Sequence, residues 1–159
     1  MIISVTLSDA ETATIRLIAN LRTVVNRCKN IVPTPYGTKK TTADAVDLDE
    51  QGLIGEFAFC KYWNIFLDIT PTPNWRPDCV LNGKSFDIKS THYKNGKLIK
   101  KCVENNESDC YALAIVDGNT VTFPGWAFHS ELCQEKNIED GHYPHYALEQ
   151  SKLRQWKDK

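Results

Sequence analysis

The chain has 159 residues, of which 42% are apolar and 25% charged, and its formal net charge is −1. That length suits a single domain (1–159) with a core of its own, and the near-neutral balance excludes a globally basic nucleic-acid binder, so any such contact must come from a local patch. No apolar run reaches the roughly 18 residues needed to cross a membrane, and the opening Met-Ile-Ile-Ser-Val-Thr-Leu-Ser-Asp lacks the basic start of a signal peptide. The expectation is a cytoplasmic protein with no membrane partner. The six cysteines (Cys28, Cys60, Cys79, Cys102, Cys110 and Cys133) include no Cys-x-x-Cys pair and read as free thiols, several on core faces, not as a disulfide framework.

Ser8 or Asp9 caps a first helix running to about Asn30, with Ile15, Leu17, Ile18, Leu21, Val24 and Val25 as its apolar stripe. Arg16, Arg22, Arg27 and Lys29 then read as the solvated basic face of a packing helix. Val32 to Thr42 carries Pro33, Pro35, Gly37, Lys39 and Lys40 and reads as a loop. Asp47 with Glu50 looks like a capping box that opens a second helix through about Ile65. Leu53, Phe57, Cys60 and Trp63 recur at helical spacing and should face a sheet. Gly52 and Gly55 each weaken that helix by about 1 kcal/mol relative to alanine, which suggests close approach to neighbouring backbone. Glu56 lies beside them, at the edge of the buried face.

Arg76 to Thr91 is the most informative stretch. Asn82-Gly83 is a strong signal for a two-residue type I′ turn, which needs positive φ at both positions. Counting outward sets Leu81 against Lys84, Val80 against Ser85, Cys79 against Phe86 and Asp78 against Asp87. Directly opposed side chains on one face lie roughly 4.5–5.5 Å apart at Cβ. Asp78, Asp87 and Lys89 fall on one face, and Cys79, Leu81, Phe86 and Ile88 on the other. Opposed carboxylates destabilise a sheet unless a cation sits between them or one is protonated. A solvated surface hairpin screened by Lys89 is the plain alternative. Further on, Lys94 to Lys101 contains Asn95-Gly96, a second hairpin signal. His129, Cys133, His142 and His145 are a conceivable zinc set, since His129 and Cys133 would share a helix face, but the spacing matches no zinc knuckle.

Glu56 on a helix, then Pro77-Asp78, then Asp87-Ile88-Lys89, resembles the PD-(D/E)xK nuclease superfamily in motif content and order, in particular its small phage and bacterial members. Asp87-Ile88-Lys89 is the only acidic-x-Lys triplet among the 20 acidic residues. The resemblance covers about 47–91 firmly and extends loosely to 132. Through it, Tyr111–Asp117 and Val121–Trp126 match the two strands that follow the motif in such proteins. The tail's Leu148, Leu153 and Trp156 would pack as a closing helix or strand.

What the resemblance implies is an α/β domain with a restriction-endonuclease-like mixed central sheet flanked by helices, acting as a Mg²⁺-dependent DNA nuclease, expected to be an endonuclease, with Mn²⁺ as a possible substitute. If phage-encoded, it would work in the host cytoplasm. Asp78 and Asp87 would supply carboxylate ligands, joined by the Ile88 backbone carbonyl, and Glu56 would hold a second ion or orient a water. Lys89 would act first through its charge and second as a base. Arg76, Lys94, Lys97, Lys100 and Lys101, with Lys39 and Lys40 from the loop, are the candidate DNA contacts, and cutting both strands would favour a homodimer. The alternatives are a nuclease-like fold serving as a non-catalytic nucleic-acid- or protein-binding module, and a zinc-binding interaction module.

Overall fold

The Asn82-Gly83 turn forms with positive φ at both residues, 52° and 73°, and pairs β2 (Cys79–Leu81) with β3 (Lys84–Thr91) in the expected register, Cys79 with Phe86 and Leu81 with Lys84. The computed structural model describes residues 1–28, 42–69, 76–103, 107–141 and 143–157. Lys29, Lys39, Lys40, His142 and most of the expected 32–42 loop lie outside the described residues. The remaining elements are β1 (Ile3–Thr6), α1 (Asp9–Cys28), α2 (Thr42–Trp63), β4 (Leu98–Lys101), β5 (Cys110–Asp117), β6 (Thr120–Phe128), α3 (His129–Leu132), β7 (Ile138–Glu139) and β8 (His145–Leu148). They make a mixed 5-stranded sheet, β1-β6-β5-β3-β2, in which only β3 and β5 run parallel, and a 3-stranded antiparallel sheet, β4-β8-β7. This is the mixed α/β architecture the sequence implied.

The larger sheet has a core on each face. On one side α1 and α2 contribute Ile15, Ala19, Leu53, Ile54, Ala58 and Phe59, which meet Phe86, Ile88, Ala112, Ala114, Val121 and Phe123. On the other, Tyr111, Leu113 and Ile115 meet Leu98, Leu132, Leu148 and Leu153 from the small sheet, α3 and the tail. A strand covered on both faces carries no polar alternation, and β5 is buried from Cys110 through Val116. The alternation of β3 therefore sends Phe86 and Ile88 toward the helices and Asp87 and Lys89 toward the second core.

Ser8 caps α1 through a reciprocal box: Ser8 N donates to Glu11 Oε2 at 2.7 Å and Glu11 N to Ser8 Oγ at 3.2 Å. Its buried face differs from the expected stripe. Thr12, Ile15, Ala19 and Thr23 are buried, whereas Leu17, Leu21 and Val24 are 67%, 63% and 57% exposed. The expected solvated basic face holds at the exposed Arg16 but not at the half-buried Arg22. Arg16 pairs with Glu50 at 2.7 Å and Arg22 with Glu56 at 3.4 Å, while Thr23 Oγ1 donates to Asp49 at 2.8 Å. Acids on α2 thus draw the polar side of α1 inward. No Gly or Pro interrupts residues 42–47, so α2 starts at Thr42 and Asp47 sits inside the helix, not at its cap.

The second hairpin does not form. Gly96 N donates to Tyr93 O at 2.8 Å, closing a turn, but β4 then pairs with β8. β4 joins the second sheet and does not fold back on β3, and Gly96 lacks the positive φ of a type I′ turn. The tail closes the core in extended form: Arg154 and Trp126 exchange backbone hydrogen bonds of 2.8 and 3.1 Å, and Trp156 Nε1 donates to Phe123 O at 3.1 Å.

Of the two glycines expected to mark a close approach, only Gly55 does. A Cβ there would overlap Ser90 Oγ and sit 3.2 Å from Ala114 Cβ, whereas one at Gly52 would meet nothing within 4 Å. Gly55→Ala should destabilise the fold by about 1–3 kcal/mol through overpacking, and Gly52→Ala should stabilise it by about 0.5–1 kcal/mol. Urea melts of the two variants check the opposite signs.

Candidate active site

The site is built where β2 stops. Asp78 N donates to Phe86 O at 2.9 Å, although Phe86 is already paired with Cys79. Asp78 therefore does not continue the ladder to sit squarely opposite Asp87, as the simple register count expected. Its carboxylate instead folds over the end of β2, and Oδ2 accepts from Ile88 N at 2.6 Å. Phe86 and Ile88 turn their peptide groups to the same side of β3, so the Ile88 carbonyl also points to the side where β2 has ended.

Asp87 and Lys89 stand together on the other face of β3, with Nζ and Oδ1 3.1 Å apart. Asp87 is 5% exposed. Its neighbour across β5 is Tyr111, a fully buried phenol whose pKa is pushed up, chiefly by burial. Glu56 arrives from α2, held there because Gly55 lets the helix backbone close onto Ser90. Its side chain is 15% exposed and its carboxylate faces the Arg22 guanidinium.

Burial raises the pKa of Asp78 well above the usual carboxylate range; the charges of Glu56 and Asp87 add to the shift, while the Ile88 N–H and Lys89 oppose it. Glu56 is also raised, first by burial and then by Asp87 and Asp49, against the opposing charge and hydrogen bond of Arg22. Asp78 and Glu56 thus share a poorly solvated neighbourhood, where burial and nearby like charges favour their protonated forms unless a cation intervenes. Among the described residues, no group of three His, Cys, Asp or Glu side chains is arranged to hold a metal ion. Each acid is turned to its own partner: Asp78 to a backbone N–H, Asp87 to Lys89 and Glu56 to Arg22.

Arg22 is the residue the sequence reading missed. Its signal was present in the match between Arg16 and Arg22 on α1 and Asp49, Glu50 and Glu56 on α2, but it needed the helices to be paired. Directly beside Asp78, the free and buried Cys60 and Cys79 touch through their sulfurs. The side-chain hydrogen bond they share, together with burial, pushes the Cys79 thiol up, and the same bond pulls that of Cys60 down.

The expected DNA contacts separate. Lys97 is engaged with Glu139 at 2.7 Å and Glu149 at 3.0 Å, which offset its charge, and Lys100 is buried with Nζ against Lys101 O at 3.4 Å. Lys94 and Arg76 are exposed, and Lys101 holds its ammonium 5.0 Å from the Tyr143 ring centroid. From Lys89 a groove of about 510 Å³ leads between Gln51 and Gly52 of α2 and the turn carrying Tyr93, toward Lys101 and Tyr143. In the conceivable zinc set, His129 Nδ1 lies 3.8 Å from Cys133 Sγ on α3, but His145 sits on β8 against Tyr143 O and Glu139. No protein-family model, curated protein or solved structure matches the chain.

The raised carboxylates set the sign of the pH dependence. Asp78 and Glu56 bind protons more tightly folded than unfolded, so their contribution to stability is full below the ordinary values of 3.8 and 4.5 and is lost as pH rises through the folded values. In chelator, stability should therefore fall with rising pH across that window. Asp78→Asn should flatten the slope and stabilise the protein by about 1 kcal/mol at neutral pH. Urea melts at stepped pH provide the check, and an unchanged slope in the variant would remove Asp78 as its source.

Proposed function

We propose that this chain is a Mg²⁺-dependent DNA nuclease of the PD-(D/E)xK kind, an endonuclease built on a restriction-endonuclease-like sheet with flanking helices. The observation that supports the reading is the electrostatic coupling of Glu56, Asp78 and Asp87 near the end of β2, with Lys89 beside Asp87 and with Glu56 and Asp78 raised by burial and by neighbouring carboxylates. Buried carboxylates gathered without enough positive charge form an arrangement that a divalent cation relieves. The donors are all oxygen: the Asp78 and Asp87 carboxylates, the Ile88 carbonyl and Glu56. That set suits a hard ion such as Mg²⁺ or Mn²⁺. When bound, the ion supplies charge stabilisation at the phosphate and a more acidic attacking water.

The chain's own groups do the rest. Asp87 fixes the Lys89 ammonium at 3.1 Å, so a positive charge is held where negative charge grows on the phosphate. Arg22 orients Glu56 and keeps part of its charge compensated before any ligand arrives. Release of Asp78 from the Ile88 N–H frees a carboxylate and leaves a backbone donor facing the same space. A single site cuts one strand, so paired cuts in duplex DNA would call for a homodimer.

A second reading, a non-catalytic nucleic-acid- or protein-binding module, is favoured by one observation, that each acid already has a partner of its own. Cleavage of supercoiled, linear and single-stranded DNA with Mg²⁺ or Mn²⁺ separates the two. Asp87→Ala and Lys89→Ala should each lower the rate by roughly 10²–10⁴-fold, with chelator abolishing cleavage in the wild type. Full activity in either variant sinks the nuclease reading, and silence of the wild type on every substrate favours the binding module.

A further inference from the structure

The groove that leaves Lys89 has a composition unlike the rest of the chain. Among the described residues it is lined by no acid and by three lysines, of which Lys89 faces Asp87 and Lys97 faces Glu139 and Glu149 from outside the lining, so that Lys101, beside the Tyr143 ring, is the charge the groove offers a ligand. Its volume, about 510 Å³, falls in the usual range of roughly 300–1,000 Å³ for sites that enclose small ligands. On one rim stands Tyr93, 79% exposed.

An exposed tyrosine on a turn is ordinary, but this turn is held from several sides. Tyr93 N donates to Thr91 Oγ1 at 3.2 Å and Gly96 N to Tyr93 O at 2.8 Å. From the tail, Gln150 Nε2 donates to Lys94 O at 2.8 Å and Gly96 O at 3.0 Å. A side chain at Gly96 would strike Thr91 and the Tyr93 carbonyl. On the α2 wall, Gln51 in its satisfied amide orientation accepts from Thr91 N and His92 N, each at 3.1 Å. The ring is thus offered to solvent from a fixed backbone, and Lys101, poised over Tyr143, lies along the same groove.

We propose that this groove binds one unpaired nucleic-acid strand, with Tyr93 as a base-stacking platform and Lys101 as a phosphate contact, so that the substrate class is single-stranded DNA or a frayed duplex end. The proposal deepens the nuclease reading and rests on it for what happens to the strand at Lys89. An aromatic face gains binding energy from any unpaired base, because every base has a π-face, and a cationic groove tracks the backbone. A duplex stacks its bases on one another and offers the ring only edges and sugar-phosphate.

Binding is tested on the full chain in chelator, by anisotropy of a fluorescein-labelled single-stranded DNA oligonucleotide and of the duplex it forms with its complement. The single strand should bind at least tenfold more tightly than the duplex. Tyr93→Ala should weaken single-strand binding about tenfold, with Tyr93→Phe near wild type and duplex binding unmoved. Lys101→Ala should weaken both and lower the salt slope by about one phosphate contact. Unchanged melting curves show that the variants fold. Equal affinity for the two forms, no binding of either, or a Tyr93→Ala protein that binds as wild type overturns the proposal. Mg²⁺-dependent cleavage without Tyr93 dependence would leave the nuclease reading standing alone; Tyr93-dependent binding without cleavage would leave the groove standing alone.

Discussion

The hydrogen bond from Ile88 N to the Asp78 carboxylate is the interaction on which the site depends. β2 contributes only Cys79–Leu81 to the ladder, so the edge of β3 would otherwise be left with a donor and no acceptor. Asp78 supplies the acceptor from its side chain. In doing so it brings a carboxylate over the strand end and within electrostatic reach of Glu56 and Asp87. A longer β2 would satisfy the Ile88 peptide with backbone and leave no opening for any ligand.

That arrangement is maintained against its own electrostatics. Desolvation and mutual repulsion act on Asp78 and Glu56 together, and the compensation comes from three sources of different character: a backbone N–H, the Lys89 ammonium and the Arg22 guanidinium. Arg22 is the most distant in origin, since it reaches Glu56 across the helix pair. α1 runs antiparallel to α2, with Glu11 near its start meeting Lys61 at 2.8 Å and Thr23 near its end meeting Asp49 at 2.8 Å. The exposed ties add little stability each. They fix the relative placement of the helices, and with it the position of the partly buried Arg22 beside Glu56. The adjoining Cys60 and Cys79 thiols belong to the same packed region, joining α2 to β2 one residue from Asp78.

The groove and the acids occupy one surface because β3 is shared. Its central residues face two cores, and its last residues, with the turn after them, line the groove. The chain leaves β3 for a second sheet because the Asn95-Gly96 turn does not take the type I′ form that would fold it back. That crossing places Tyr93 and Lys101 along one groove, and Gln150 ties the turn down from far along the sequence.

The sequence by itself determined the features whose causes are local. Asn82-Gly83 specified its turn and the pairing of Cys79 with Phe86, because positive φ at two successive positions admits few residues. Ser8 or Asp9 as cap marked the start of α1, and the Ser8 box bears this out, while β5 was expected at Tyr111–Asp117 only through the family resemblance. Only the tertiary structure decided what depends on neighbours distant in the chain. It showed that Leu17 and Leu21 stay exposed while Thr23 is buried against Asp49 of α2 and Thr12 beside Asn119. It turned Asn95-Gly96 into a crossing between sheets, paired Lys97 with Glu139 and Glu149, buried Lys100 and gave Arg22 to Glu56. Periodicity ranks residues by hydrophobicity within one element, whereas burial and charge pairing are set by the surface that packs against it.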